Sequence, residues 1–244
     1  MVYHRSMIDR LTTTLLAASL VAGCAGTSVA PQRTTYSSTI PRPAKVLVYD
    51  LEFSTKQIRE NQAAAQRAIR DADASAVDAR LRKIGQGVVT AYAETLVAGI
   101  REAGFDAIRA NAATPVGHGD LKVEGVILRI DEGDRTRRVV VGLGAGESFV
   151  DAKVVVHSAV DPPKRLLDFV TKADSGKMPG AGLSLGAGAA AQGGVTAAGA
   201  AVSATQGGVR VMRSQVEQMA ERSAKQAVEY MQKYFVVQGW ITGN

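Results

Sequence analysis

With 244 residues, the chain has room for one large domain or two small ones, at about 150 residues per domain, and for a buried core. Hydrophobic residues make up 46% and charged residues 21%, ordinary globular usage that excludes wholesale disorder and collagen-like repetition. The formal net charge of +6 suits an anionic partner, and a single Cys excludes an internal disulfide framework and a Cys-based zinc site.

Arg5 and Arg10 precede a mostly apolar run, Leu11 to Ala22, that ends in the small pair Ala22 and Gly23. This pattern predicts a secretory signal peptide over residues 1–23, with Met7 as an alternative start to Met1. The run is too short to cross a hydrocarbon core, which takes a helix of about 20 apolar residues. The one Cys, Cys24, directly follows Leu20-Val21-Ala22-Gly23, and here the sequence resembles a bacterial lipoprotein precursor with a lipobox, Val21 standing where Leu is commonest. A thiolate is the side-chain nucleophile that can take a diacylglyceryl group as a thioether. The resemblance implies acyl chains on the mature Cys24 and stable anchoring in lipid. Ala25 in place of Asp implies the outer membrane. No cofactor is expected beyond the covalent diacylglycerol and acyl chains on Cys24. Loss of residues 1–23 removes Arg5, Arg10 and Asp9 and leaves a net charge of +5, with no aromatic-interleaved basic patch, so nucleic acid is not an expected partner.

Residues 24–44 read as the lipidated Cys and a tether, punctuated by Gly26, Pro31, Pro41 and Pro43; as a coil of about 20 residues it would span roughly 25 Å. Lys45 to Phe53 reads as a β-branched strand, and the charged, Ala-rich Ser54 to Ala76 as an exposed helix or a mobile insertion. Val77, Leu81, Ile84, Val88, Tyr92, Leu96 and Ile100 recur every three or four residues, the period of a helix with one buried stripe, and Gly104 is a stop signal. A short strand is predicted within Phe105 to Ala110. Leu121 and Val123 alternate with polar residues, and the shift after Gly125 to Val126, Leu128 and Ile130 suggests a bulge or two-sided burial. Glu132 to Arg135 reads as a turn and Arg137 to Val156 as an interrupted return strand. After Asp161-Pro162-Pro163 comes a further strand, Leu166 to Thr171, which completes an antiparallel meander. Met212, Val216, Met219, Ala227, Met231 and Tyr234 mark a second amphipathic helix, with Trp240 in a short tail.

The order predicts an α/β (α+β) fold over residues 45–244: a mixed, largely antiparallel sheet of four to five strands with two amphipathic helices packed on it. The same order, with the Gly-rich break at Gly142-Leu143-Gly144-Ala145-Gly146 and the Gly/Ala tract before the last helix, resembles the bacterial lipoprotein family known as domain of unknown function 4410, over residues 45 to 236. That family brings no established activity and no catalytic residues. The layout is also similar to the amino-terminal domain of TolB and to the periplasmic domain of the curli secretion lipoprotein, at the level of fold alone.

Several apparent catalytic motifs lack their context. Gly182-Leu183-Ser184-Leu185-Gly186 fits a nucleophile elbow, but in that fold the His follows the Ser, whereas His4, His118 and His157 all precede Ser184. A Ser hydrolase on Ser184 stays as the alternative function, because other triad orders exist. Gly142 to Gly146 follows a strand but puts Glu147 where a dinucleotide loop needs its third Gly, and around Gly176-Lys177 a P-loop would require Gly at Thr171 and Ser or Thr at Met178. His118 and His157 have no partner at metal-ligand spacing and read as ordinary surface or edge histidines. Arg135, Arg137 and Arg138, beside Asp131, Glu132 and Asp134, read as a solvated turn or as a contact for phosphate or lipid A.

Between Lys177 and Arg210 stand 32 residues without a charge, Gly- and Ala-dominated. This insertion at 178–209 has three readings: a flexible or self-packed loop, a subunit contact through small residues such as Gly182 and Gly186, or a membrane-inserted segment. The expected function is a non-enzymatic binding or assembly module, lipid-anchored at the outer membrane and facing the periplasm. Its expected partners are membrane lipid, through the anchor, and either further copies of itself or an envelope protein.

Overall fold

The computed structural model describes residues 26–34, 40–59, 74–133, 147–159, 163–176 and 215–242. Its elements in chain order are β1 (Thr27–Thr34), β2 (Val46–Tyr49), a 3₁₀ turn (Thr55–Gln57), β3 (Ile58–Arg59), α1 (Ala74–Glu102), β4 (Ala107–Ala110), β5 (Leu121–Asp131), β6 (Phe149–Ser158), β7 (Lys164–Asp174) and α2 (Gln215–Val237). Among the described residues the strands form one seven-stranded sheet ordered β1-β7-β6-β5-β2-β4, with β3 pairing β5. The long ladders β1·β7, β7·β6 and β6·β5 are antiparallel, whereas β2 runs parallel to β4 and β5 and β3 parallel to β5. This is the mixed, largely antiparallel sheet with two helices that the sequence predicts.

Both helices lie on one face of the sheet. Val88, Tyr92, Leu96 and Ile100 of the α1 stripe are fully buried, and Leu81 and Ile84 pack on the same core. From α2, Val216, Met219, Ala220, Ala224, Ala227 and Met231 enter it, while Val150, Ala152, Val154 and Val156 give it every second residue of β6. At its centre the Tyr92 hydroxyl of α1 and the Ser223 hydroxyl of α2 meet the Thr171 hydroxyl of β7 at 2.9 and 2.8 Å. Ser223 donates to Thr171, and Thr171 is 3.4 Å from the Ala152 carbonyl. Thr171 can therefore accept from both hydroxyls and donate to Ala152, which uses its whole capacity. Burial pushes the Tyr92 phenol well above its ordinary value of 10.0, against the opposite pull of Thr171 and Ser223.

The two helices end alike. Gly104 and Gly239 take φ of +86° and +72°, conformations open to glycine. Behind Gly104, Phe105 N donates to Ile100 O and Gly104 N to Arg101 O; behind Gly239, Trp240 N donates to Phe235 O and Gly239 N to Val236 O. Both are Schellman stops. Their next residues, Phe105 and Trp240, stack around Phe235 at 4.7 and 5.4 Å. Arg42 lies over the Phe105 ring at 4.7 Å and donates to Gly104 O (2.6 Å) and Trp240 O (2.8 Å), so one guanidinium serves the negative ends of both helix dipoles.

Three expectations change. The segment read as a tether contains β1: Thr27 to Thr34 pair with Ala173 to Leu167, and Val29 packs on the core. An edge strand needs few large side chains, because its ladder is made by backbone, and the bulge between Pro31 and Arg33 suits an edge. Together with the two-residue β3, this strand takes the sheet from the expected four or five strands to seven. The phase of β5 does not shift at Gly125, since Ile127 is buried and Leu128 is 42% exposed. The bulge falls between Ile127 and Arg129 instead, and a side chain at Gly125 would meet the Lys153 carbonyl of β6. The tips of both meander turns, the strand read at Arg137 to Val141, Met212, and most of Ser54 to Ala76 lie outside the described residues.

Candidate functional site

Cys24, Arg135, Arg137, Arg138, Gly182, Ser184 and Gly186 all lie outside the described residues. The described residues on either side of them, however, converge on one end of the sheet. Thr27 opposes Ala173, Asp174 opposes Phe149, Phe149 opposes Asp131, and Arg59 opposes Asp131. Gly26, which follows Cys24 by two residues, the pair Gly133 and Glu147 that brackets the arginine segment, and Gly176 and Gln215 that bracket the uncharged tract therefore belong to the same end.

Asp174 organises this end. Its Oδ1 accepts from Gly26 N and Gly176 N, both at 2.9 Å, its backbone N donates to Gly26 O at 3.0 Å, and its carbonyl accepts from Arg222 Nη1 at 3.1 Å. A Cβ on Gly26 would run into the Asp174 carboxylate, so the small residue is needed for this contact. Beside it, fully buried Ser148 exchanges hydrogen bonds with Ser175 and donates its hydroxyl to Glu132 O at 2.7 Å. At the other end of β1, the Thr34 and Tyr230 hydroxyls are 2.9 Å apart, and the Tyr230 ring packs on Phe169. The strand is thus fastened to β7 along its length and to α2 at its finish.

The charges at this end are sorted by depth. In the pair Arg59–Asp131 the guanidinium side is 72% exposed and the carboxylate side 16%; in Arg129–Asp151 the values are 44% and 16%. Burial raises the Asp151 carboxyl above its ordinary range, opposed by Arg129 and Lys172, with Asp174 adding to the rise. Arg129 lies over the Phe149 ring at 4.5 Å and Lys172 is exposed, so this end turns cations outward and keeps its carboxylates low.

At the opposite end His118 and His157, read from the sequence as surface residues, both line an open cavity of about 530 Å³ with Lys122, Glu124 and Ser158. The Lys122 amine pairs with Glu124 at 2.7 Å. Burial, with Arg165 and Lys122, lowers the His157 pKa against the opposite pull of Glu124 and Asp168. Successive strand residues point to opposite faces, and the Ser158 hydroxyl has no hydrogen-bond partner among the described residues. Among the described residues no group of three or more His, Cys, Asp or Glu is placed to hold a metal ion, and no helix is long and apolar enough to cross a membrane.

No curated protein matches the chain. Among solved structures, a PelC dodecamer from Paraburkholderia phytofirmans is similar at 13% identity and a TM-score of 0.33, over 84% of this chain and 96% of that one. A dodecamer of a PelC point variant from the same organism gives 15% and 0.31, over 63% and 82%. The family model described as Domain of unknown function (DUF4410) matches residues 46–192, short of the expected 236 and so without α2. It covers more than half of the chain and takes in β2 to β7 with α1, and the protein belongs to this family.

Proposed function

We propose that the protein is a lipid-anchored envelope component, acting as a non-enzymatic binding or assembly module on the periplasmic side of the outer membrane. The observation that carries this reading is the sequence Leu20 to Cys24, in which the only cysteine of the chain follows an apolar run and two small residues. The reading is supported by the place of Gly26, two residues on, which is hydrogen-bonded to Asp174 at one end of the sheet. Ala25 after the cysteine supports the outer membrane as the destination. A fatty-acid analogue fed to cells should label the wild type and not Cys24→Ser, and equal labelling of the two contradicts the anchor. The Ser184 hydrolase makes the opposite chemical prediction, a fluorophosphonate adduct that Ser184→Ala abolishes; the module reading expects no adduct. Crosslinking in intact cells followed by mass spectrometry would identify what the module binds.

A further inference from the structure

We infer that the end of the sheet built around Gly26 and Asp174 faces and touches the membrane surface, so that the domain sits flush on lipid headgroups rather than on a stalk. The inference rests on the proposed lipidation of Cys24. From Cys24 to Gly26 the chain covers at most about 7 Å. Beyond Gly26 there is no slack, because Gly26 is hydrogen-bonded to Asp174 through both its N–H and its carbonyl, and the ladder from Thr27 to Thr34 follows. Acyl chains on Cys24 therefore bring the Gly26 end to the interface. Lys164, where β7 starts, is held about 34 Å away along the strand.

The chemistry of this end suits such a neighbour. Arg59, Arg129 and Lys172 stand outward, while Asp131 and Asp151 are mostly covered. Anionic phospholipid headgroups would meet cations first, and near a charged membrane each Lys or Arg adds attraction. The partner is thus the headgroup layer of the membrane that holds the acyl chains.

Because lipidation consumes Cys24, an introduced Cys can be labelled alone in the full lipidated chain. A fluorophore at Ser28→Cys, which opposes Lys172, and one at Lys164→Cys are compared on vesicles of phosphatidylethanolamine and phosphatidylglycerol carrying a headgroup quencher. Quenching should be several-fold stronger at Ser28→Cys, with the same excess at Lys56→Cys, a near-end position on a different element. Insertion of a twelve-residue Gly/Ser spacer, about the length of a short linker, between Ala25 and Gly26 should reduce the excess. Equal quenching at the near and far positions of the unextended protein overturns the inference. Acyl mass on Cys24, measured on the same samples, separates that outcome from failure of the anchor itself.

Discussion

Thr171 gathers three buried polar contacts in the core, and its capacity ranks the variants around it. Tyr92→Phe removes one donor to Thr171 and should cost about 1 kcal/mol. Thr171→Val keeps the shape but leaves the buried Tyr92 and Ser223 hydroxyls without their acceptor, at about 1–3 kcal/mol each, so it should cost clearly more. Urea midpoints read the order, and a Thr171→Val cost no greater than that of Tyr92→Phe contradicts the network. The raised Tyr92 pKa sets the sign of a pH effect. Below the unfolded value near 10 both states hold the proton and the contribution is complete; as pH rises above it, only the unfolded chain ionises and stability falls. Tyr92→Phe should flatten the loss of stability between pH 9 and 11, in addition to its cost at neutral pH. An unchanged slope would place the alkaline sensitivity in other groups.

The helices show how sequence pattern and packing divide the work. Val77 to Ile100 at helical spacing and Gly104 as a stop are readable as α1, because one-sided burial writes its period into the chain. The long strands of the meander are readable for the same reason. β1 is not, because an edge strand with one partly covered face can be built from Thr, Ser, Pro and Gln, which also compose tethers. Nor is the β5 bulge at Leu128, whose position follows from pairing with β6. The role of Arg42 needs three distant segments at once. Arg42→Ala should lose about 2 kcal/mol with its two charge-assisted bonds, seen as a lower Tm, and Arg42→Lys should recover only part, lacking the guanidinium fork. Where α1 crosses α2, a Cβ on Gly99 would lie 2.8 Å from Val228 Cγ2. Gly99→Ala should therefore destabilise the wild type despite a helix-propensity gain of about 1 kcal/mol, and stabilise a Val228→Ala background. The same sign in both backgrounds contradicts that contact.

For the whole molecule, what the sequence candidates share is the position of the described residues that flank them. Cys24, Arg135, Arg137, Arg138, Gly182 and Gly186 were legible as residue types, but that Gly26, Gly133, Glu147 and Gly176 gather at one end of the sheet follows only from strand register, and the cavity with His118 and His157 only from the folded loops. The fold also decides how association should be tested. A soluble form cut near Pro43 would lose β1 and the Arg42 bridge, so the suitable protein lacks residues 1–23 and carries Cys24→Ser. On the subunit-contact reading of 178–209, light scattering of that form gives an oligomeric mass that Gly182→Leu with Gly186→Leu lowers; a monomeric mass with or without the two substitutions removes that reading. From Gly26 to Thr34 the chain is a fastened strand rather than a stalk. Amide hydrogen exchange on the full lipidated chain in vesicles reads this fastening residue by residue. The β1 amides bonded to β7 should exchange slowly, and Asp174→Ala should speed exchange first near Gly26. Exchange of Thr27 to Thr34 at the rate of an unstructured coil would contradict it and return residues 24–44 to a tether.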